Sequence, residues 1–379
     1  MTTRTNQYTY VDQQLLLDEA IGLLSASPYI GVDTEADSRH RYPEKVCLLQ
    51  LSNGDNTYLI DTLASLDYSG LHSLFSSTTT QKILHGADFD IRGLNRDFGS
   101  EFFNCFDTSI AARFANHEKF GLAALLENIL NIAIPKDERL QKADWSRRPL
   151  STQALEYAAA DVVFLPELRN ALHNHLSELN RIDWVLEECE RIASVKYIER
   201  DRETAYLSVK GTRDLDGRGL AILKQLFDFR ESTAIKLNRP PGFILPAEAL
   251  AFISANPEKE LSGIPGIGGT TLKRFGKQIR EAVRSGLVGE PLMRPKPKTP
   301  ALPRPTKTQS TRLSALKKWR SDIGIKLSLD ASLLWPMKSL ERIARDPRTI
   351  DNEFLAEEIR QWQISEFSDS LRNIVSSLA

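Results

Sequence analysis

Asp33 and Glu35 stand one residue apart at the end of the apolar run Ile30–Gly31–Val32. The run is short, partly β-branched and followed by polar turn residues, the pattern of a strand. Residues i and i+2 of a strand point to the same face. Both carboxylates would then project to one side, and acids held that close repel unless a cation sits between them. The ordinary alternative is one acid on a solvated face and the other capping a turn. A lone Asp-x-Glu does not decide, because short motifs often match by chance.

Two further segments carry groups of the same kind. Asp90 lies in HGADFDIRGL, where a strand passes into a helix; a first-turn carboxylate favoured by the helix dipole is the competing explanation. Tyr157 and Asp161 lie four residues apart on a helix, so phenol and carboxylate share a face. Ala158, Ala159, Ala160, Val162, Val163 and Phe164 around them are apolar. Such a stretch predicts that the pair is buried or functional, since a buried charge without a partner is costly.

The elements that position these groups follow from pattern. YTYV (8–11) reads as a strand, and Asp12 is placed to cap a helix from Gln13 to about Ser25. Val46–Leu51 and Thr57–Asp61 form a hairpin-like pair around SNGDN. A helix and a loop fill 62–80, Lys82–His85 is a short strand, and Ala87–Phe98 is a helix offering Phe89, Leu94 and Phe98 to a core. Phe106–Thr108 ends a strand or caps a helix over 109–116, and another helix spans 121–131. After the loop DWSRRPL (144–150), Ser151 caps one long helix, from Thr152 to about Ser177; 181–208 reads as a helical, charged connector. About five strands alternating with helices predict an α/β or α+β domain over 1–207.

Beyond about Asp214 the strand signals vanish and landmarks repeat at a spacing of 90. Phe229-Arg230 returns as Trp319-Arg320, Ile235-Lys236-Leu237 as Ile325-Lys326-Leu327, and Pro257 as Pro347. One register kept over many landmarks predicts two copies of a helical module, 213–290 and 311–379. Between them, 291–310 is a proline-rich, basic linker. Residues 1–210 hold 21 Lys and Arg against 31 Asp and Glu; the remainder holds 28 against 19. The basic half is suited to a polyanion. Three scattered cysteines form neither a zinc pattern nor a disulfide framework, which points to a reducing compartment. The N-terminus is too polar for a signal peptide and no run of 18 apolar residues appears, so a cytoplasmic protein with no membrane partner is expected.

Together, Asp33-Thr34-Glu35, Asp90 and Tyr157-x-x-x-Asp161 resemble the three motifs of the DEDD 3′–5′ exonuclease superfamily, in its tyrosine-containing branch. DWSRRPL and HGADFDI are similar to the ribonuclease D group, and the repeated module resembles the HRDC domain. The resemblance implies a ribonuclease H-like (DnaQ-like) α/β exonuclease domain with a mixed β-sheet, followed by two all-α HRDC-like modules, the second divergent. It implies a catalytic set of Asp33, Glu35, Asp90, Tyr157 and Asp161. The four acids would hold two divalent cations, Mg²⁺ or Mn²⁺, and Tyr157 would orient the attacking water. Nucleoside 5′-monophosphates would be released from the 3′ end of RNA, with tRNA precursors and other small structured RNAs as substrates. Two alternatives stay open. One is a 3′–5′ exonuclease acting on DNA, because no identifiable residue reads a 2′-hydroxyl. The other is an inactive nucleic-acid-binding adaptor, against which stand all four acids and the tyrosine.

One position departs from the family. The residue after Glu35 is commonly aromatic in bacterial ribonuclease D, where it packs near the terminal nucleotide; here it is Ala36. The departure touches the grip on substrate, not the cation ligands. His85 reads as a structural residue at a strand end, and Asp107 as a helix cap. Arg147 and Arg148 are either phosphate contacts or exposed loop charges. Gly266 and Gly268 in IPGIG, with Lys273, Arg274 and Lys277 behind them, look like a helix-hairpin-helix turn that binds nucleic-acid backbone. An ordinary glycine turn is the alternative. The second copy lacks this turn and is acidic around Glu353–Glu358.

Overall fold

Every residue from Val46 to Ser52 is buried, which demands a strand covered on both faces and both edges. The computed structural model, which describes residues 7–134, 137–295 and 303–378, places this run in the interior of a six-stranded sheet. Residues 296–302 of the expected linker lie outside the described residues. In chain order the elements are β1 (Thr9–Val11), α1 (Gln14–Ser25), β2 (Tyr29–Ala36), β3 (Val46–Ser52), β4 (Thr57–Asp61), α2 (Ser69–Ser76), β5 (Gln81–Leu84), α3 (Asp88–Phe98), β6 (Cys105–Asp107), α4 (Thr108–Phe114), α5 (Leu122–Leu130), α6 (Glu138–Gln141), α7 (Thr152–Val163), α8 (Leu165–Glu178) and α9 (Ile182–Ala193).

Strand order is β1-β4-β3-β2-β5-β6. β2, β3 and β4 form an antiparallel meander; β5 and β6 extend it parallel to β2, and β1 lies parallel to β4. The mixed sheet agrees with expectation, with six strands where about five were expected. Val32, Leu49, Leu51, Ile91 and Leu94 pack on the face that carries α3. Leu48, Leu59, Ala154 and Ala158 pack on the other, beneath α7.

Three local expectations need correction. Gln13, not Asp12, precedes α1, and no side chain caps it. The long helix after Ser151 is two, meeting at Phe164. Pro166 has no N–H to donate to the carbonyl of Val162, four residues back, so the helix breaks there. The segment after 181 begins with the expected helix, α9, but it is no mere connector, since its Trp184, Val185 and Cys189 are buried.

The remainder is helical: α10 (Gly217–Leu237), α11 (Pro241–Ile244), α12 (Ala247–Ala255), α13 (Gly269–Val288), then α14 (Lys307–Leu327), α15 (Ala331–Leu334), α16 (Met337–Arg345), α17 (Ile350–Glu353) and α18 (Gln361–Ser377). α10, α11 and α12 begin and end 90 residues before α14, α15 and α16. The two sets are held differently. α10–α13 enclose their own core around Leu223, Leu250 and Ile279 and reach the first half at Tyr42, which donates to Glu231 at 2.5 Å. α14–α18 share one continuous core with α4, α8 and α9. There the rings of Trp184 and Trp362 stack at 4.7 Å, and Glu187 accepts from the backbone N–H groups of Gln361 and Trp362. No helix among the described residues is long and apolar enough to cross a membrane.

Candidate active site

β2 delivers its two acids to the face that α7 covers. A Cβ on Gly31 would meet the carbonyl oxygen of Val162 at 2.6 Å, so only glycine lets the end of α7 descend this close. The descent brings Asp161 over the strand. Carboxylate oxygens of Asp33, Glu35 and Asp161 lie within 4.8 Å of one another.

Asp90 arrives from the opposite face. Its side chain is 6% exposed and accepts a 2.5 Å hydrogen bond from the hydroxyl of Thr34, which sits between the two β2 acids. Asp107 fixes the turn that presents it. Besides capping α4 through the N–H groups of Ser109 and Ile110, its carboxylate accepts from those of Gly86 and Ala87, just before α3. Its role as a cap is as expected; the hold on Asp90's helix is additional. His85 bonds through Nδ1 to the hydroxyl of Thr108 at 2.9 Å, the structural position anticipated for it.

The electrostatics follow from geometry. Burial, then repulsion from Asp90 and Asp161, pushes the carboxyls of Asp33 and Glu35 well above the usual range. Burial raises Asp161 to about 7 against the opposing hydrogen bond from Tyr157, and Asp90 to about 7 against that from Thr34. Burial and the neighbouring acids push the Tyr157 phenol up as well, so it keeps its proton at neutral pH. Among the described residues no cationic side chain pairs with any of the four acids. The donor set is all hard oxygen, which suits magnesium-like or manganese-like cations and not zinc; all three cysteines are free and buried. Two oxygens on one small cation lie at most about 4.2 Å apart, twice a bond of about 2.1 Å. The observed cluster is within a small closure of that, so the residues fit.

The loop after α6 scaffolds this site. Trp145 is buried, with its ring 6.3 Å from that of Tyr157. Arg148 forks onto Asp61, with Nε at 2.6 Å and Nη2 at 2.5 Å, and donates to the carbonyls of Cys47 and Trp145. It is thereby a structural clamp, which is neither the phosphate contact nor the exposed loop charge expected of it. Arg147 stays exposed, 3.4 Å from Asp144. Sequence reasoning passed over Gln50. It is fully buried and pairs in register with Asp33, so its side chain shares Asp33's sheet face, and its carboxamide has no partner among the described residues. A polar residue inside an otherwise apolar strand was the available signal.

In the first helical set, Gly266 adopts φ +84° and Gly268 precedes α13 without a side-chain cap. Lys273, Arg274 and Lys277 are exposed along that helix. In the second helical set, Arg342 neutralises Glu353 and Glu358 at 2.5 Å each.

The mixed sheet and α7 thus gather four acids, none of them ion-paired among the described residues, and a protonated tyrosine, and the class to which this arrangement belongs is a 3′–5′ exonuclease by the match of the chain itself. The 3′-5′ exonuclease domain family matches residues 8–177, and the HRDC domain matches 219–283. Ribonuclease D of Nitrobacter hamburgensis is 30% identical over 331 residues, covering 85% of each chain. The exosome complex component 10 homolog of Drosophila melanogaster is 31% identical over 262 residues, 67% of this chain but only 29% of that protein. In structure, RNase D of Escherichia coli superposes with a TM-score of 0.72 over 98% of this chain and 99% of that one, at 22% identity. The chain belongs to the ribonuclease D family of 3′–5′ exoribonucleases.

Proposed function

We propose that the family's reaction is carried here by Asp33, Glu35, Asp90 and Asp161, holding two divalent cations, Mg²⁺ or Mn²⁺, with Tyr157 beside them. The observation that supports this is the cluster of three carboxylates within 4.8 Å, flanked by Asp90 and, among the described residues, answered by no cationic side chain. Bound there, the cations supply positive charge to the attacking and leaving oxygens of an in-line displacement. Tyr157 retains its proton, so it orients the attacking water by hydrogen bonding and does not act as a base. Thr34 and Asp107 hold Asp90 in place from either side. Water adds to the terminal phosphorus and the bond to the penultimate nucleotide's 3′-oxygen breaks. That oxygen takes a proton, and a nucleoside 5′-monophosphate leaves.

The substrates are RNAs with a free 3′ end, tRNA precursors and other small structured RNAs among them, in the cytoplasm. Membership of the ribonuclease D family supports the substrate class, and the three buried free thiols support a reducing compartment. Residues 1–207 form the catalytic unit and 213–290 the HRDC domain. Residues 311–379 are a second, divergent HRDC-like module, supported by the 90-residue offset of its helices. Gly266, Gly268, Lys273, Arg274 and Lys277 contact RNA backbone, as does the exposed Arg147.

The test is incubation with 3′-labelled RNA and DNA in Mg²⁺, Mn²⁺ or EDTA. Stepwise mononucleotide release from RNA, abolished by EDTA and by Asp33→Ala, is expected. RNA binding with no release under any cation sinks the reading, and faster release from DNA corrects the substrate.

A further inference from the structure

Phe89 reads in the sequence as a core residue of α3, yet it is 49% exposed. The helix has no need of it, since Ile91 and Leu94 already fill the core on that side. Singly exposed apolar residues require no explanation; this one is marked by where it stands. It is the immediate neighbour of Asp90. It also shares a helix face with Gly93, four residues on. A Cβ on Gly93 would touch Cγ2 of Val46 at 3.0 Å, and Val46 is the register partner of Ala36. Phe89 therefore lies one turn above the Val46–Ala36 pair. Side chains on a helix tilt toward its N-terminus, here toward the open end of β2 where the acids gather.

Ala36 shares the sheet face of Thr34, which reaches Asp90. It is thus on Phe89's side of the sheet, and its methyl group fills little of the space between strand and helix. Phe89 thus presents an exposed aromatic face on α3, with Ala36 on the same side of the sheet and Asp90 next to it in the chain. A nucleobase, attached one sugar away from the scissile phosphate, is a flat group of the kind such a face takes.

We propose that Phe89 is the aromatic surface on which the 3′-terminal nucleobase stacks, so that the terminal nucleotide is gripped from α3 and not from the residue after Glu35. The assignment rests on the exonuclease reading above. Stacking needs only a π-face, so the grip accepts every base and serves an enzyme that removes nucleotides regardless of sequence. Phe89 does not touch the phosphodiester, so its contribution lies in binding and in positioning.

The experiment uses the full chain and RNA ending in 2-aminopurine, with a hydrolysis-resistant phosphorothioate at the last linkage for binding and an ordinary linkage for turnover. Binding to the unsubstituted protein is expected to quench the terminal fluorophore. Phe89→Ala is expected to abolish most of that quench and to raise KM about ten-fold, with kcat within about three-fold and an unchanged Tm, because the ring is half in solvent. Phe89→Tyr should restore both quench and KM. With an RNA whose last nucleotide is abasic, the original protein and Phe89→Ala should bind alike. Unchanged quench and KM in Phe89→Ala, in a protein that still releases mononucleotides, overturns the stacking role and leaves the exonuclease standing. A protein that releases none from any RNA overturns the exonuclease reading and this assignment with it.

Discussion

One row across the sheet carries Glu35, Leu48 and Asp61, each opposite the next in register. Its two ends are carboxylates, and the protein treats them oppositely. Asp61 receives both arms of Arg148 and the hydroxyl of Tyr10. Burial pushes its carboxyl up, but those hydrogen bonds outweigh it and leave Asp61 below its usual range. Glu35, two strands away, belongs to a cluster whose members are all raised, by burial first and then by neighbouring carboxylates, and among the described residues no cationic side chain pairs with them. The fold can bring a guanidinium to this face and brings it to one end only. The charge at the other end is left to be balanced from outside.

The largest effect that tests this contrast is on turnover. Asp161→Asn should reduce mononucleotide release by at least about a thousand-fold, in line with the electrostatic stabilisation such a site provides. The same change should raise the stability of the cation-free protein at pH 7.5, measured by urea unfolding, since it removes one of several repelling charges. A loss of stability there would contradict the contrast. At the other end, Arg148→Ala should lower stability by about 3–5 kcal/mol, because it strands Asp61 in a largely buried position. Arg148→Lys should recover only part of that, since an ammonium cannot make both bonds of the fork. Full recovery by lysine would show that charge alone matters there.

The pH dependence should have opposite signs at the two ends. An acid raised in the folded state holds its proton more tightly there, so cation-free stability falls as pH rises between about 4, the unfolded value, and about 7. The slope is on the order of 1 kcal/mol per pH unit, and saturating Mg²⁺ should flatten it. Asp61 is depressed, so its contribution is complete above the unfolded value and is lost as pH falls below about 4. Comparing the unfolding profiles of Asp161→Asn and Asp61→Asn with that of the unsubstituted chain separates the two. The smallest expected effect is at exposed Arg147. Its change to alanine should leave stability within about 0.5 kcal/mol and make the salt dependence of RNA binding shallower by about one unit of slope.

The acids and tyrosine were legible because the chemistry constrains residue type and spacing together. Asp-x-Glu on a strand and Tyr-x-x-x-Asp on a helix each leave a pattern that survives without coordinates. The 90-residue offset was legible too, and the bounds of α10–α12 and of α14–α16 keep it. What escaped depended on contacts across the sheet. Periodicity scored Phe89 as core because it counts apolar residues around a helix; it could not see that Gly93, one turn on, is what meets Val46. Arg148 read as a phosphate contact or a free loop charge until the fold carried Asp61 to it from 87 residues away. The break at Phe164 was visible in Pro166 but was outweighed by the helical residues on either side. Charge along 181–208 concealed Trp184 and Cys189, the stripe by which α9 joins the last helical set to the first domain.

The missing side chain at Gly31 works as a shim of zero thickness. The carbonyl of Val162 rests where a methyl group would be, and Asp161 is the residue next to it. The distance from α7 to β2, and so the bore of the carboxylate cage, is set by an atom that is not there. A methyl at this position would lift the helix and widen the cage. A wider cage disfavours a small ion that demands bonds of about 2.0–2.1 Å more than a larger one content with about 2.3–2.6 Å. The width of the cage is thus gauged on the acids' own face of β2, by a residue two places before Asp33 that carries no ligand.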